Sequence, residues 1–153
     1  MDTPYQRGGT IAIEEHVVDR LTAVGARFTA ARRAVFAELL QSAGPRSAAE
    51  VHEGLRRSIP LSSLYRSLAV LEDAGVVTPH HGTRGVTRYE PAEWLSGHHH
   101  HLRCTECGRV EDVAVSAAEE RRMAQLVGGM AGRAGFHLTG HTLEIEGRCE
   151  RCS

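Results

Sequence analysis

The sequence contains no lysine, few aromatic residues and no long apolar segment. None of its hydrophobic runs approaches the ~18–20 residues of a membrane-spanning helix, which excludes a transmembrane protein. The aromatic residues are three Phe, three Tyr and one Trp, so any core must be mainly aliphatic. The first ten residues lack the apolar stretch of a secretory signal. We therefore expect a soluble, cytoplasmic protein whose residues 1–10 are disordered.

Because lysine is absent, all 18 basic side chains are arginines, and the formal net charge is −1. Arginine suits bidentate contact with phosphate, although a GC-rich genome would produce the same preference. The distribution of charge is more informative. Residues 20–66 carry eight arginines and three carboxylates, whereas residues 93–153 carry seven arginines and nine carboxylates. A basic first part and an acidic second part indicate a division of labour.

Catalytic motifs are also missing. The sequence has no glycine-rich phosphate loop, no nucleophile elbow and no HExxH pair. We therefore predict that the protein is not an enzyme.

Residues 11–90 show four helical patterns followed by two short strand patterns. Thr29 can cap the second helix, and Ser47 with Glu50 has the spacing of a capping box that opens the third. The fourth helix runs from Ser62 to a left-handed stop at Gly75. The segments VVTPH and VTRYE then form a hairpin around a glycine-bearing turn. This order predicts a winged helix-turn-helix domain over residues 11–90.

The fourth predicted helix has one leucine face and one polar face. The polar face carries Ser62 and Arg66, with Ser63 and Tyr65 on its flanks. Hydroxyls, an aromatic ring and an arginine near the helix N-terminus are typical of a recognition helix that contacts bases and phosphates. An ordinary solvated helix face has a similar composition. Together with the hairpin, the pattern favours double-stranded DNA as a partner.

Residues 91–97 (PAEWLSG) interrupt these patterns and are predicted to form a linker. Two strands around TECG, a helix opened by Ser116 and Glu119, and a final alternating segment follow. These elements predict a small α/β domain over residues 98–153. The fold class is therefore α+β, with the winged helix-turn-helix first.

The four cysteines form two CxxC pairs, Cys104 with Cys107 and Cys149 with Cys152. A reducing compartment disfavours structural disulfides, and four thiolates suit tetrahedral zinc. The intervening strand, helix and strand can bring the two pairs together. A thiol–disulfide switch is the alternative. We predict a four-cysteine zinc site.

His98 to His101 form an uninterrupted histidine run. In a strand, His98 and His100 would face one side, and His99 and His101 the other, so one tract can supply two metal sites. The candidate further ligands are His80, His81 and Glu90 in the hairpin, and Glu119 and His141 in the second domain. Glu119 could instead serve only its capping box, and His141 could be a core histidine. Three imidazoles and one carboxylate leave no open position for catalysis.

Four motifs resemble the ferric uptake regulator superfamily of bacterial metal-dependent repressors, and the resemblance runs from about Leu21 to Cys152. The motifs are R-x-T-x-x-R (Arg27, Thr29 and Arg32), S-x-L-Y-R-x-L-x-x-L-E-x-A-G (Ser62 to Gly75), HHHHLRC-x-x-CG and H-T-L-E-I-E-G-x-C-x-x-C. The last motif is most similar to that of actinobacterial zinc uptake regulators.

The resemblance implies three metal sites. The implied structural zinc site is formed by Cys104, Cys107, Cys149 and Cys152; the dimerisation-domain site by His98, His100, Glu119 and His141; and the interdomain sensory site by Glu90, His99 and His101. It also implies DNA contacts from Tyr65, Arg66 and Arg27. No histidine precedes the third helix, where iron-type members have one, so we predict His80 or His81 as the missing sensory ligand.

These expectations combine into one functional hypothesis. We predict a homodimeric repressor that binds inverted-repeat operators of metal-uptake genes when zinc occupies its regulatory sites. Iron is the alternative regulatory metal. A metal storage or chaperone protein is the alternative from another class, and it would explain the histidines and cysteines but not the basic helix-turn-helix.

Overall fold

The computed structural model describes residues 9–82 and 85–153. The chain divides into two compact units, Met1–Gly97 and His98–Ser153. Most of the predicted disordered N-terminus and two residues of the hairpin turn lie outside the described residues. Gly9 and Thr10, however, already belong to the first helix.

The first unit contains the four predicted helices. They are α1 (Gly9–Ala23), α2 (Ala30–Leu40), α3 (Ala48–Gly54) and α4 (Leu61–Asp73). The Thr29 hydroxyl caps α2 by accepting a hydrogen bond from the Arg32 backbone N–H. Ser47 and Glu50 form the predicted capping box of α3. Gly75 follows α4 with a φ of +62°, which favours glycine.

A three-stranded antiparallel sheet completes this winged-helix unit. Its strands are β1 (Arg46–Ser47), β2 (Val77–His81) and β3 (Thr87–Pro91), in the order β1-β3-β2. The β2–β3 hairpin was predicted, with Thr78 opposite Glu90. The two-residue strand β1 was not predicted, because so short a segment has no periodicity.

The core of the first unit is aliphatic, as predicted from the scarcity of aromatic residues. Leu64, Leu68 and Leu71 of α4 are fully buried against side chains from α1, α2 and α3. Phe36 is the one aromatic ring among its buried hydrophobic residues in the described chain. Burial of this leucine face leaves the opposite face of α4 to solvent.

The segment PAEWLSG is not simply a linker. Pro91 ends β3, and residues 93–96 form the short helix α5 (Glu93–Ser96), which belongs to the first unit. The Trp94 indole N–H donates a hydrogen bond to the Gly75 carbonyl over 2.8 Å. A seven-residue segment is too short for periodicity to reveal this helix, which depends on tertiary contacts.

The second unit combines three strands and one long helix. These are β4 (His100–Cys104), β5 (Val110–Val113), α6 (Ala117–Arg133) and β6 (Glu144–Gly147). The strand order is β5-β4-β6, with β4 antiparallel to β5 and parallel to β6. Ser116 and Glu119 form the predicted capping box of α6. Within the described chain, no helix is long and apolar enough to cross a membrane.

Candidate metal centres and DNA-facing surface

The parallel pairing of β4 and β6 brings the four cysteines together, because Cys104 ends β4 and Cys149 follows β6. All four sulfur atoms lie within 4.8 Å of one another. The Sγ atoms of Cys107 and Cys149 are 3.8 Å apart. Tetrahedral zinc with bonds of about 2.3 Å would separate its sulfur ligands by about 3.8 Å. The cluster therefore fits zinc in both donor type and spacing.

The acidity of the cysteine thiols also favours a cation. Hydrogen bonds from the backbone N–H groups of Cys107 and Cys149 lower the pKa of the Cys104 thiol to about 6. Hydrogen bonds with the neighbouring thiols, that of Cys149 first, raise the pKa of Cys152 to about 12. Crowded sulfurs thus hold one negative charge but resist further ionisation. A divalent cation among them would remove this resistance.

A second cluster lies between β4, α6 and the segment before β6. It joins His98, His100 and His141 to the carboxylate of Glu120, with ligand atoms within 4.8 Å of one another. The Nε2 atom of His100 donates to Glu120 Oε2 over 2.8 Å. The Nε2 atoms of His98 and His141 each lie 3.3 Å from Glu120 Oε1. One carboxylate therefore faces three imidazoles.

The predicted acidic member of this cluster, Glu119, is corrected to Glu120. The Glu119 carboxylate accepts hydrogen bonds from the backbone N–H and hydroxyl of Ser116, each over 2.7 Å, and is occupied by the capping box. Consecutive helical residues point about 100° apart. Only the next residue, Glu120, faces the imidazoles.

Two features of this cluster suit a metal ion. The hydrogen bond from His100 and the charges of the neighbouring imidazoles lower the pKa of Glu120 despite its partial burial. In addition, His100 Nδ1 and His141 Nε2 are buried without a hydrogen-bond partner within the described chain. Such groups cost about 1–3 kcal/mol each when unsatisfied. A bound cation would satisfy at least one of these nitrogens.

The other face of the histidine run forms a separate group. His99 and His101 have ring centroids 4.9 Å apart, and Asp112 of β5 lies beside them. His101 Nε2 is 3.6 Å from Asp112 Oδ1. The three residues offer ligand atoms within 4.8 Å of one another. Asp112 was not among the predicted ligands, although its place opposite His101 in the β4–β5 ladder follows from the strand register.

The hairpin of the first unit holds the remaining predicted sensory residues. His80 Nε2 lies 2.6 Å from Oε1 of the buried Glu90. His81 is exposed, and its Nδ1 lies 3.2 Å from the Thr87 hydroxyl. Of the two histidines, His80 is therefore the one paired with Glu90.

The solvent-facing side of α4 carries the predicted DNA contacts. Ser62, Tyr65 and Arg66 are exposed, and Ser63 is half-buried. The Arg66 guanidinium lies 3.5 Å from the Ser63 hydroxyl, which it reaches as a hydrogen-bond donor. An exposed ring, hydroxyls and a guanidinium on one helix suit contact with bases and phosphates.

The predicted contacts before α2 divide into two kinds. Arg27 is exposed. Arg32 is half-buried, and its guanidinium donates to the Arg27 carbonyl. Arg32 therefore has at least a structural task, which is to hold the backbone that presents Arg27.

The fold and these clusters define a class of protein, in which a winged-helix unit is followed by a unit rich in metal ligands. The family model described as "Ferric uptake regulator family" matches residues 23–146. The ferric uptake regulation protein of Legionella pneumophila is 35% identical over 137 residues, which cover 87% of this chain and 96% of that protein. The chain belongs to the ferric uptake regulator family and is a metal-responsive transcription regulator.

Solved structures agree. The ferric uptake regulator of Vibrio cholerae aligns with a TM-score of 0.65 and 31% identity, covering 84% of this chain and 96% of that one. A zinc-bound manganese uptake regulator aligns with a TM-score of 0.66 and 28% identity, covering 90% and 98%. The similarity therefore extends to proteins named for different metals.

Proposed function

We propose that the protein is a cytoplasmic, homodimeric repressor that binds inverted-repeat operators of metal-uptake genes when zinc is bound. The observation that carries the proposal is the separation of ligand types. Four sulfurs form one cluster, while the histidine run serves two others on opposite faces of β4. One sulfur site can be permanent and structural, whereas imidazole–carboxylate sites exchange metal and protons near neutral pH.

The sensory site in this proposal uses His99 and His101 together with Glu90 and His80 or His81 of the hairpin. Asp112 is a further carboxylate beside the two imidazoles. Ligands from both units would make the orientation of the winged-helix unit depend on metal. A shift from a mostly inactive to a mostly active arrangement needs about 5.5 kcal/mol of differential binding. A four-ligand zinc site can supply this energy.

The second site, at His98, His100, Glu120 and His141, would stabilise the second unit itself, because all four residues belong to that unit. The two sites should therefore respond differently to mutation. We expect His99→Ala with His101→Ala to give a stable dimer without metal response. We expect His98→Ala with His100→Ala to lower thermal stability first. Identical loss of metal-dependent DNA binding and of stability in both variants would contradict the assignment.

Dimerisation through the second unit is supported by its exposed apolar side chains. Leu126 and Met130 of α6 are 64% and 54% exposed, and Phe136 beyond the helix is 74% exposed. Apolar surface of this kind on a small unit is typical of an interface. Analytical ultracentrifugation should find a dimer in which Met130→Glu weakens association. A wild-type monomer at micromolar concentration would refute this part of the proposal.

DNA recognition is assigned to Ser62, Ser63, Tyr65 and Arg66 of α4, with Arg27 as a minor-groove contact and Arg32 as its neighbour. A dimer would place its two recognition helices in major grooves about 34 Å apart, or a multiple of that distance. This geometry is the reason for proposing an inverted-repeat operator.

The regulatory metal is the least determined part of the proposal, and one titration tests it. Zinc is proposed because tetrahedral nitrogen and oxygen sites suit it. Iron is the alternative, because the chain resembles proteins named for ferric uptake. Operator binding should be measured by fluorescence anisotropy at buffered free Zn²⁺, Fe²⁺ and Mn²⁺, with the structural site loaded. Activation by Fe²⁺ alone would replace zinc with iron, and metal binding without any DNA binding would favour storage.

A further inference from the structure

The short helix α5 is attached to the winged-helix unit by its central tryptophan. The Trp94 indole N–H donates to the Gly75 carbonyl just beyond α4. The Arg20 guanidinium of α1 lies over the indole ring, 4.5 Å from its centroid. The His16 ring, one helical turn earlier in α1, lies 6.4 Å from the indole. A side chain in this segment thus contacts α1 and the end of α4 together.

The backbone on both sides of Trp94 is also held. Ala92 is buried, and its N–H donates to the Val76 carbonyl over 2.9 Å. Leu95 packs against the hydrophobic core. The Gly97 N–H donates to the Glu93 carbonyl, and Gly97 itself has a φ of +80°, where the helical course ends. The chain is therefore tied to the first unit as far as Ser96.

A four-residue helix does not persist in water by itself, because forming the first turn fixes several backbone dihedrals in return for very few hydrogen bonds. The order of α5 must come from tertiary contacts. The three groups that supply the polar and aromatic ones, Trp94, Arg20 and the Gly75 carbonyl, are called the Trp94 clasp below. Loss of the clasp would release residues 93–97, while Ala92 would stay anchored by its own burial and hydrogen bond.

We propose that Trp94 is a positioning residue whose clasp shortens the free tether between the winged-helix unit and the histidine run to about one residue, Gly97, and so strengthens the coupling of metal to DNA binding. This inference rests on the proposed function, because it requires metal ligands in both units. The entropic cost of bringing the ends of a tether together grows as about three-halves of the logarithm of its length. Lengthening the tether from one residue to five should lower the metal-induced gain in operator affinity about tenfold.

The test compares two variants that lengthen the tether by different means. Trp94→Ala releases residues 93–97, whereas four Gly/Ser residues inserted after Gly97 lengthen the tether with the clasp intact. Trp94→Phe and Arg20→Gln weaken the clasp without removing its ring, and Val18→Ala, an exposed position on the same α1 helix, is the control. For each protein, operator affinity is measured with and without buffered Zn²⁺, and amide hydrogen exchange is followed at residues 93–97.

We expect all variants to keep the metal-free operator affinity of the wild type within about twofold. The ratio of affinities with and without Zn²⁺ should fall about tenfold in Trp94→Ala and in the insertion variant, less in Trp94→Phe and Arg20→Gln, and not in Val18→Ala. Exchange at residues 93–97 should accelerate only in the clasp variants. If Trp94→Ala fails to fold, the insertion and the two milder variants decide the question.

Two results would overturn the inference. One is an unchanged affinity ratio in the insertion variant. The other is a Trp94→Ala protein that loses affinity equally with and without metal, which would show a purely structural role. A wild-type protein that binds DNA without regard to metal would instead refute the proposed function, and with it the basis of the clasp.

Discussion

The adjacent residues Glu119 and Glu120 provide a matched test of the second metal cluster. Both begin α6, and both are carboxylates with a lowered pKa, but their partners differ. Glu119 binds Ser116, whereas Glu120 faces His98, His100 and His141. Replacing each in turn by alanine preserves helix propensity and removes one carboxylate at a time.

The expected magnitudes follow from these contacts. A four-ligand zinc site binds with about 10–16 kcal/mol, so an equal share for one ligand corresponds to two or three orders of magnitude in the dissociation constant. Glu120 is one-third exposed, with a relative side-chain accessibility of 31%, so water can partly replace it. We therefore expect Glu120→Ala to weaken this site about a hundredfold. Glu119→Ala should leave metal affinity unchanged and lower the melting temperature by a few degrees through loss of the cap.

The assay is competition for Zn²⁺ with a chromophoric chelator, after the cysteine site has been filled, together with thermal unfolding followed by circular dichroism. Ser116→Ala is a second control, since it removes the other half of the capping box and should behave like Glu119→Ala. The reasoning would be refuted if Glu119→Ala lost the second zinc ion while Glu120→Ala retained it.

Three further predictions concern other parts of the molecule. Cys104→Ser should release the tightly bound zinc and with it the dimer, as measured by metal analysis and sedimentation, and a dimeric, zinc-replete variant would contradict the structural site. Arg66→Ala should lower operator affinity roughly 10- to 100-fold if the guanidinium contacts a base, or reduce the salt slope by about one if it contacts a phosphate, with unchanged zinc content. Burial raises the pKa of Glu50, but hydrogen bonds from Ser47 and the Arg88 guanidinium outweigh it, so the pKa is lowered overall. Its stabilising contribution is present above about pH 5 and is lost as the pH falls through the folded-state pKa. Unfolding of Glu50→Gln should therefore depend less on pH between about 5 and 3, and equal slopes for both proteins would disprove it.

Local signals in the sequence predicted the helical framework well. The Ser47–Glu50 and Ser116–Glu119 boxes and the leucine stripe of α4 depend only on residues within one or two turns. The alternation of the histidine run likewise follows from strand geometry alone. For such features the sequence contains the whole physical cause.

Tertiary partners were harder to predict. Choosing Glu120 over Glu119 requires the rotational setting of α6 against β4, which no pattern within the helix reveals. Asp112 joins His99 and His101 only through the β4–β5 register. Helix α5 depends on Arg20 and Gly75, both distant in sequence. In each case the deciding contact joins separate elements.

The second unit has few buried apolar side chains. Among its described residues, the buried hydrophobic ones in the single chain are Cys104 and Val110, and Cys104 is itself a proposed zinc ligand. A unit with so small a core depends on its metal for much of its folding free energy. Zinc starvation would then raise the unfolded fraction, which cellular proteases degrade. The amount of repressor in the cell would follow zinc supply through protein turnover, a response slower than ligand exchange at the sensory site and harder to reverse.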